Sequence, residues 1–357
     1  MTLRHIDGFD HYTDIAQKGW SELYANFPVG ITDTLARTGS QSLALRHGMP
    51  IYGSTGGCSR GIPRAEVVTV GMAMYFPSSV SQGTQVNSCA FINVITGGTT
   101  QCFVSWFQST LSVAAYQCTS FTRPILLGGS AGGVLTMDSW QYVEVQIRVH
   151  DTLGMVIVRI DGVEVLNLQE VDTAFSAGAD YINGITLMGG IVFTSGWVYV
   201  DDLYILDNSG DVNNDFLGDV KVETLYPAAD GAQNDWVPST PGDHYPLVRD
   251  LPASYDDYLA TNVPGATELY GLTPLSSAAL DIKGVQWNTF AKEVAPGSRI
   301  VRPVVRQNGV LAYGDPAALS VSEGYVHGIM DINPITEEPW TTVDVHSDAE
   351  FGVELQS

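Results

Sequence analysis

The chain has 357 residues, 45% of them hydrophobic and 15% charged, and a formal net charge of −23. This composition excludes a largely disordered chain, and the length predicts two domains. The acidic surplus argues against a nucleic-acid partner, and the lack of any apolar run of about 18 residues predicts no membrane span.

The N-terminal stretch "MTLRHIDGFDHY" has no apolar segment, so we expect no secretory signal. Without export, the four cysteines are expected to be free, buried thiols, although oxidising surroundings would leave three disulfide pairings open. These cysteines are Cys58, Cys89, Cys102 and Cys118.

The same N-terminal stretch gathers four residues of types that bind zinc, but no later residue completes the set at a recognisable spacing. They are His5, Asp7, Asp10 and His11. We therefore interpret them as hydrogen-bonded residues of the fold and predict no cofactor there.

Residues 1–206 show repeated strand signals. "VVTVGMAMYF" and "YVEVQIRV" alternate with period two, and Asp161-Gly162 fits a two-residue hairpin turn. In "GWVYVDDLYIL", simple alternation places Trp197, Tyr199, Leu203 and Ile205 on one face. Many short strands with Gly-rich turns predict an antiparallel jelly-roll sandwich.

In residues 207–357, proline is more frequent and the strand signals are separated by longer loops. This pattern predicts a smaller β-rich domain with short helices. The polar linker "DNSGDVNND" precedes a strand predicted to begin near Asp219. A short helix capped by Ser254, a hairpin at Asn308-Gly309 and a short helix capped by Thr341 are expected next. A final strand is expected in "EFGVEL".

The linker could bind calcium. Asp207, Asp211 and Asp215 alternate with Ser209 and Asn213 at the two-residue spacing of oxygen-ligand loops. The glycine and glutamate of an EF-hand are missing, and the same residue types also make turns. A Ca²⁺ site and a simple turn both remain open.

The sequence contains two catalytic patterns, and both are incomplete. "GGSAGG" surrounds Ser130 with glycines but lacks the following helix of a nucleophile elbow. Glu144 lies in the best outward-facing strand without the second carboxylate that a sandwich glycosidase needs. We therefore expect that the chain has no catalytic residues and is not an enzyme.

Several aromatic residues could stack on sugars, although packing in a core or an interface is the favoured interpretation for each of them. They are Trp20, Trp106, Trp140, Trp197, Tyr52 and Tyr116.

Three stretches carry a resemblance to a known family. "IDGFDHYTDIAQKGW" with "TGSQSLAL", the stretch "VYVDDLYILDNSGDVNNDFLGDVKVETLYP", and the ending "INPITEEPWTTVDVHSDAEFGVEL" resemble tailed-bacteriophage virion proteins. Those proteins have an N-terminal concanavalin/laminin-G-like jelly roll. No functional residues carry over, because these motifs are interpreted as folding and junction signatures.

The resemblance implies a non-enzymatic component of a phage particle, such as a tail, fibre or capsid-decoration protein, assembled in the host cytoplasm. Its partners would be other virion proteins and sister subunits, with a trimer suited to a fibre. The alternative hypothesis is a host-recognition adhesin that binds cell-surface glycans through the sandwich loops.

Overall fold

The structure is a computed structural model that describes residues 2–23, 29–47, 57–79, 90–118, 124–176, 178–188, 196–251, 253–276, 281–294, 297–346 and 349–357. Its contacts form two compact units. The first unit is Met1–Asp10 with Asp14–Val222, and the second is His11–Thr13 with Glu223–Ser357. The predicted domain border at 206/207 stays a prediction.

The first unit has fifteen described strands and a short 3-10 helix at Ile15–Lys18. The strands are β1 (Thr2–Asp7), β2 (Ser21–Glu22), β3 (Val29–Thr32), β4 (Ser42–His47), β5 (Gly57–Ala65), β6 (Val67–Tyr75), β7 (Ala90–Thr96), β8 (Thr99–Phe107), β9 (Ser112–Gln117), β10 (Ile125–Gly129), β11 (Trp140–Arg148), β12 (Gly154–Ile160), β13 (Val163–Val171), β14 (Ile182–Met188) and β15 (Gly196–Asp207).

These strands form two antiparallel sheets. The first sheet has the order β13-β12-β11-β6-β15-β4-β3, with β1 also paired to β15, and the second has the order β10-β9-β8-β7-β14-β5-β2. Val70, Met72 and Val145 of the first sheet are buried, as is Val104 of the second. Core residues therefore come from both sheets, and the predicted antiparallel β-sandwich is confirmed.

Strand β15 departs from simple alternation. A register shift between Asp201 and Tyr204 turns Leu203 and Ile205 into the core, while Tyr199 stays on the outer face. The prediction that Trp197, Tyr199, Leu203 and Ile205 share a face is therefore wrong. The bulge inserts a residue and reverses the alternation after it.

The hairpin between β12 and β13 is confirmed. Asp161 and Gly162 have φ values of 50° and 78°, the two positive angles of a type I′ turn. Ile160 pairs with Val163 across it.

The segment from Asn208 to Val222 contains no strand, so the strand predicted from near Asp219 is wrong. The segment instead contacts the outer face of the first sheet. The N–H of Gly218 donates to Glu144 of β11 at 2.8 Å, and the N–H of Val222 donates to Asp202 of β15 at 2.8 Å. The N–H groups of this segment therefore donate to buried carboxylates of the sheet instead of to the carbonyl groups of a neighbouring strand.

The second unit is also β-rich. Its strands are β16 (Pro227–Asn234), β17 (Val237–Pro238), β18 (Leu259–Ala260), β19 (Thr267–Leu272), β20 (Val285–Ala291), β21 (Ile300–Gln307), β22 (Val310–Tyr313), β23 (Ala317–Ala318), β24 (Gly324–Met330) and β25 (Ala349–Leu355). The order β16-β19-β25-β21-β22 forms its main sheet, to which β23 adds beside β21.

Turn and helix predictions in this unit have mixed outcomes. The Asn308-Gly309 hairpin is confirmed by φ values of 52° and 82°. Helix α1 (Thr342–His346) follows Thr341, whose hydroxyl accepts from the N–H of Asp344 at 3.4 Å. The helix predicted after Ser254 is wrong: the Ser254 hydroxyl caps a bend, and the chain then enters β18.

Among the described residues, no helix is long and apolar enough to cross a membrane.

Candidate functional site

The predicted calcium residues lie in different environments. Asp207 is buried at the end of β15, where its carboxylate pairs with Arg4 and accepts from the Ser209 N–H at 3.0 Å. Asp211 and Asp215 are exposed, and Asp215 accepts from its neighbour's N–H, that of Phe216, at 2.7 Å. Within the described part of the chain, no three acidic, His or Cys residues form a metal-binding group. The Ca²⁺ site stays a prediction.

Ser130 lies in a turn after the edge strand β10. Its Oγ accepts from the N–H of Val113 at 3.1 Å and donates to the carbonyl oxygen of Ala131 at 2.8 Å. No helix follows it, so the geometry of a nucleophile elbow is missing at this residue.

The N-terminal residues separate into different environments. His5 and Asp7 are fully buried in β1 beside Lys18. Asp10 accepts from the N–H groups of Ser40 and Gln41 at 2.7 and 2.9 Å, which joins the first quoted motif to the second. His11 belongs to the second unit.

Glu144 lies on the outer face of the first sheet, as predicted, but it is buried there beneath the segment that follows β15. Besides the N–H of Gly218, it accepts a hydrogen bond from the hydroxyl of Tyr204. Burial raises the pKa of Tyr204, and the adjacent Glu144 carboxylate adds to that shift. This carboxylate therefore holds the covering segment in place and has no open cleft before it.

The two aspartates of "VYVDDLY" lie in a buried network with Arg37. The Asp201 carboxylate accepts from the N–H groups of Arg37 and Thr38 at 2.8 and 3.1 Å, and Asp202 pairs with the Arg37 guanidinium at 2.8 Å. Burial, with the neighbouring Asp202 charge, raises the pKa of Asp201 to about 8. Two of the stretches that carry the family resemblance therefore meet in this network, through Thr38 of "TGSQSLAL" and the two aspartates of "VYVDDLY".

Three of the four cysteines are confirmed as free and buried: Cys58, Cys102 and Cys118. Burial raises the pKa of each thiol, to about 12 for Cys102 and about 11 for Cys118. Cys89 lies outside the described residues.

The aromatic candidates divide by exposure. Trp20, Trp106 and Tyr116 are buried, whereas Trp140 and Trp197 are half-buried, and Tyr52 lies outside the described residues. The two half-buried tryptophans lie on the outer face of the first sheet.

A row of aromatic side chains crosses that face. Trp140 of β11 is directly opposite Tyr75 of β6, which in turn is directly opposite Tyr199 of β15. The ring centroids are 5.7 Å apart for Trp140 and Tyr75 and 6.1 Å apart for Tyr75 and Tyr199. Together with Trp197, two residues from Tyr199 on the same strand, these four half-buried residues are called the aromatic row.

The row ends beside a cavity. The next directly opposite residues are Ala44 on β4 and Gly30 on β3. Because both are small, they leave an open cavity of about 270 Å³, lined also by Thr32, Thr34, Trp197 and Tyr199.

Sequence reasoning missed Tyr75 and Tyr199 as parts of this surface. The period-two pattern of β6 places Tyr75 on the opposite face from Met72 and Met74, which was a usable signal. The alignment of three strands was not visible, since it depends on the order β11-β6-β15.

The chain has counterparts among solved structures, whereas no family model and no curated protein matches it. A mutant of alginate lyase Aly36B in complex with alginate tetrasaccharide is 12% identical over 57% of this chain and 96% of that chain, with a TM-score of 0.41. A conserved carbohydrate esterase from Shiga toxin-encoding bacteriophage phi24B is 11% identical over 56% and 98%, with a TM-score of 0.35. Carbohydrate binding module CBM66 from Bacillus subtilis is 6% identical over 52% and 93%, with a TM-score of 0.32.

These comparisons correct one expectation. The chain was expected not to be an enzyme, and this is contradicted because solved structures of similar fold are described as alginate lyases and a carbohydrate esterase. The phage particle, its partner proteins and self-association stay predictions from the sequence. By their names, these structures include a carbohydrate-active and a carbohydrate-binding protein.

Proposed function

We propose that this protein binds carbohydrate through the aromatic row and the cavity beside it. The observation that carries the proposal is the register of Trp140, Tyr75 and Tyr199, which places three half-buried rings side by side on neighbouring strands. Aromatic rings offer large apolar faces to the C–H faces of sugars, and their polar atoms remain available at the edges. The row crosses the strands, so a chain-like ligand would contact several rings at once.

The cavity supplies the polar part of such a site. The hydroxyl of Thr32 donates to that of Thr34 at 2.9 Å at the cavity's edge. A few placed polar groups in a mainly apolar recess give orientation and specificity to a bound small molecule. Sugar hydroxyls are suitable partners because they both donate and accept hydrogen bonds.

The experiment is a glycan array followed by calorimetric titration of the selected oligosaccharide. Tyr75→Ala and Tyr199→Ala are each expected to weaken binding about tenfold or more, which corresponds to roughly 1.4 kcal/mol. Gly30→Leu fills the cavity and should also weaken binding. A Cβ at Gly30 meets no heavy atom within 4 Å, so the fold should tolerate the change.

Gly61→Leu is the matched control for cavity filling. Its Cβ likewise meets nothing within 4 Å, but Gly61 lies on β5 of the second sheet. If binding is saturable but Tyr75→Ala, Tyr199→Ala and Gly30→Leu all leave its affinity unchanged, this surface is rejected as the binding site. Analysis of the same mixtures for newly released oligosaccharides tests whether binding is coupled to cleavage.

Placement of this binding activity on a tailed-bacteriophage particle is a further part of the proposal, supported by the resemblance of the quoted motifs. Labelling of purified particles with an antibody against the chain, followed by electron microscopy, tests it. If the particles carry no label although the intact protein is present in the same lysate, that placement is rejected.

A further inference from the structure

Lys18 is an unusual residue in the first unit because its cationic side chain is fully buried. The Lys18 side chain is 1% exposed and that of its partner Asp7 is 0% exposed. The amine Nζ lies 3.1 Å from Asp7 Oδ1 and 3.1 Å from the carbonyl oxygen of Ile6. Lysines are almost never buried to this extent unless they are paired.

The Asp7 carboxyl group is held in a fixed orientation by several donors. The N–H of Phe9 donates to Oδ1 at 3.0 Å, and the indole N–H of Trp20 donates to Oδ2 at 3.2 Å. Nε2 of the fully buried His5 also lies 3.2 Å from Oδ2. Donors on both oxygens withdraw electron density from the carboxyl carbon and would stabilise negative charge that develops on them.

Burial makes the neutral form of the amine more accessible than it is in water. Burial lowers the pKa of Lys18 to about 8, although the nearby Asp7 charge acts in the opposite direction. An ion pair without access to water gains less than its desolvation costs unless its geometry is excellent. The form that can react is the one in which Lys18 has passed its proton to Asp7, which leaves an uncharged amine beside an uncharged carboxylic acid.

We propose that Lys18 and Asp7 condense to an intramolecular amide. The lone pair of Nζ attacks Cγ of Asp7, and the tetrahedral oxyanion at Oδ1 accepts the hydrogen bond from the N–H of Phe9. The oxygen Oδ2, which lies beside His5 Nε2 and the indole N–H of Trp20, is the one that leaves. A proton passes from the amine to the departing hydroxyl group, with His5 Nε2 placed to relay it. One C–N bond forms, one C–O bond breaks and one water molecule leaves, so no oxidant or cofactor is needed.

The site favours this reaction in two ways. The reacting groups are fixed next to each other, which removes the entropy of bringing them together. The surroundings are closed to solvent, so the product amide is protected from hydrolysis. The bond would join β1 directly to the 3-10 helix at Ile15–Lys18 and replace the buried Lys18–Asp7 ion pair with a neutral amide.

The sequence also allows a competing loss of water. Asp7 precedes Gly8, and attack of the Gly8 nitrogen on the same carboxyl carbon would form a succinimide of equal mass. The two products differ at Lys18, since only the amide consumes its amine. A useful experiment therefore reads both the mass and the state of Lys18.

The test is tryptic digestion of the purified, denatured full-length protein, followed by tandem mass spectrometry. Trypsin does not cleave after an acylated lysine, so the amide predicts one peptide from His5 to Arg37 that is lighter by one water molecule. Fragment ions should show a closed loop between Asp7 and Lys18. Lys18→Met should restore the full sequence mass, and Lys18→Arg is the control that retains the cation.

Three results would overturn the proposal. Cleavage after Lys18 with a His5–Lys18 peptide of full mass would show a simple ion pair. A lighter peptide that still ends at Lys18 would show the succinimide, as would loss of water in Lys18→Met. Because the wild-type digest alone distinguishes these products, the outcome does not depend on whether the variants fold.

Discussion

The backbone N–H of Gly218 donates a 2.8 Å hydrogen bond to the buried carboxylate of Glu144. The same carboxylate accepts from the Tyr204 hydroxyl, whose oxygen in turn accepts from the N–H of Leu217 at 3.1 Å. The segment after β15 is thus fixed to the first sheet by side chains of β11 and β15. An acidic residue on a strand serves here as an acceptor for backbone that has no strand partner.

Replacement of Glu144 by Ala is expected to destabilise the first unit. The change leaves the N–H of Gly218 and the Tyr204 hydroxyl without this acceptor, which costs about 1–3 kcal/mol for a buried group. Urea denaturation followed by tryptophan fluorescence measures the loss. Glu164→Ala, on the exposed part of β13, is the control, and equal stability of the two variants would contradict the role of Glu144.

A methyl group at Gly71 should disturb the packing of Tyr204 on the outer face of the first sheet. A Cβ there would lie 2.1 Å from a ring carbon of Tyr204, so the ring must move. We expect Gly71→Ala to lower the free energy of unfolding by about 1–3 kcal/mol, the usual cost of overpacking. Gly61→Ala meets no atom within 4 Å and should be nearly neutral, and a similar loss in both variants would refute this explanation.

In the turn between β12 and β13, the cost of a positive φ angle can be measured without any change in side-chain packing. Gly162 has φ of 78°, and a Cβ there would meet no heavy atom within 4 Å. Gly162→Val should therefore cost about 1 kcal/mol or more through backbone strain alone. Gly162→Asn should cost less, since asparagine tolerates positive φ. Thermal melting compares the two, and identical melting of both variants and wild type would argue against a type I′ turn.

The raised pKa of Asp201 predicts a pH dependence of stability. The unfolded chain loses this proton near pH ~4, whereas the folded protein keeps it until about pH 8. Between these values the folded state binds more protons, so the free energy of unfolding falls as pH rises, by at most ~1.4 kcal/mol per pH unit.

Asp201→Asn removes this titration and keeps a carbonyl acceptor for the N–H groups of Arg37 and Thr38. Its unfolding free energy, measured in urea from pH ~4 to ~8, should fall less steeply than that of the wild type. Parallel pH profiles would show that the pKa of Asp201 is the same in the folded and unfolded protein.

The buried thiols should be protected in the native state. Burial raises the pKa of Cys102 to about 12 and that of Cys118 to about 11, so little thiolate exists at pH ~8. Maleimide labelling followed by peptide mapping should find both residues unmodified until denaturant is added. Labelling of Cys102 in the native protein at the rate of a free thiol would contradict its buried position.

Strands and turns were the features most accessible from the sequence. The alternation in "VVTVGMAMYF" and "YVEVQIRV" predicted β6 and β11, because side chains on a strand point alternately to opposite faces. Asp161-Gly162 and Asn308-Gly309 predicted their hairpins, because few residues accept two successive positive φ angles. The helix after Ser254 failed because a capping hydroxyl stabilises a bend as readily as a helix end.

The sequence alone determined that this chain is mainly β and where many of its turns lie. Those properties depend on neighbouring residues and on the two-residue period of a strand. Only the tertiary structure decided that Glu144 is covered, that β15 reverses its faces at the bulge, and that Trp140, Tyr75 and Tyr199 form one surface. These are relations between strands distant in the sequence, and the pairing order that creates them is set by packing of the whole sandwich.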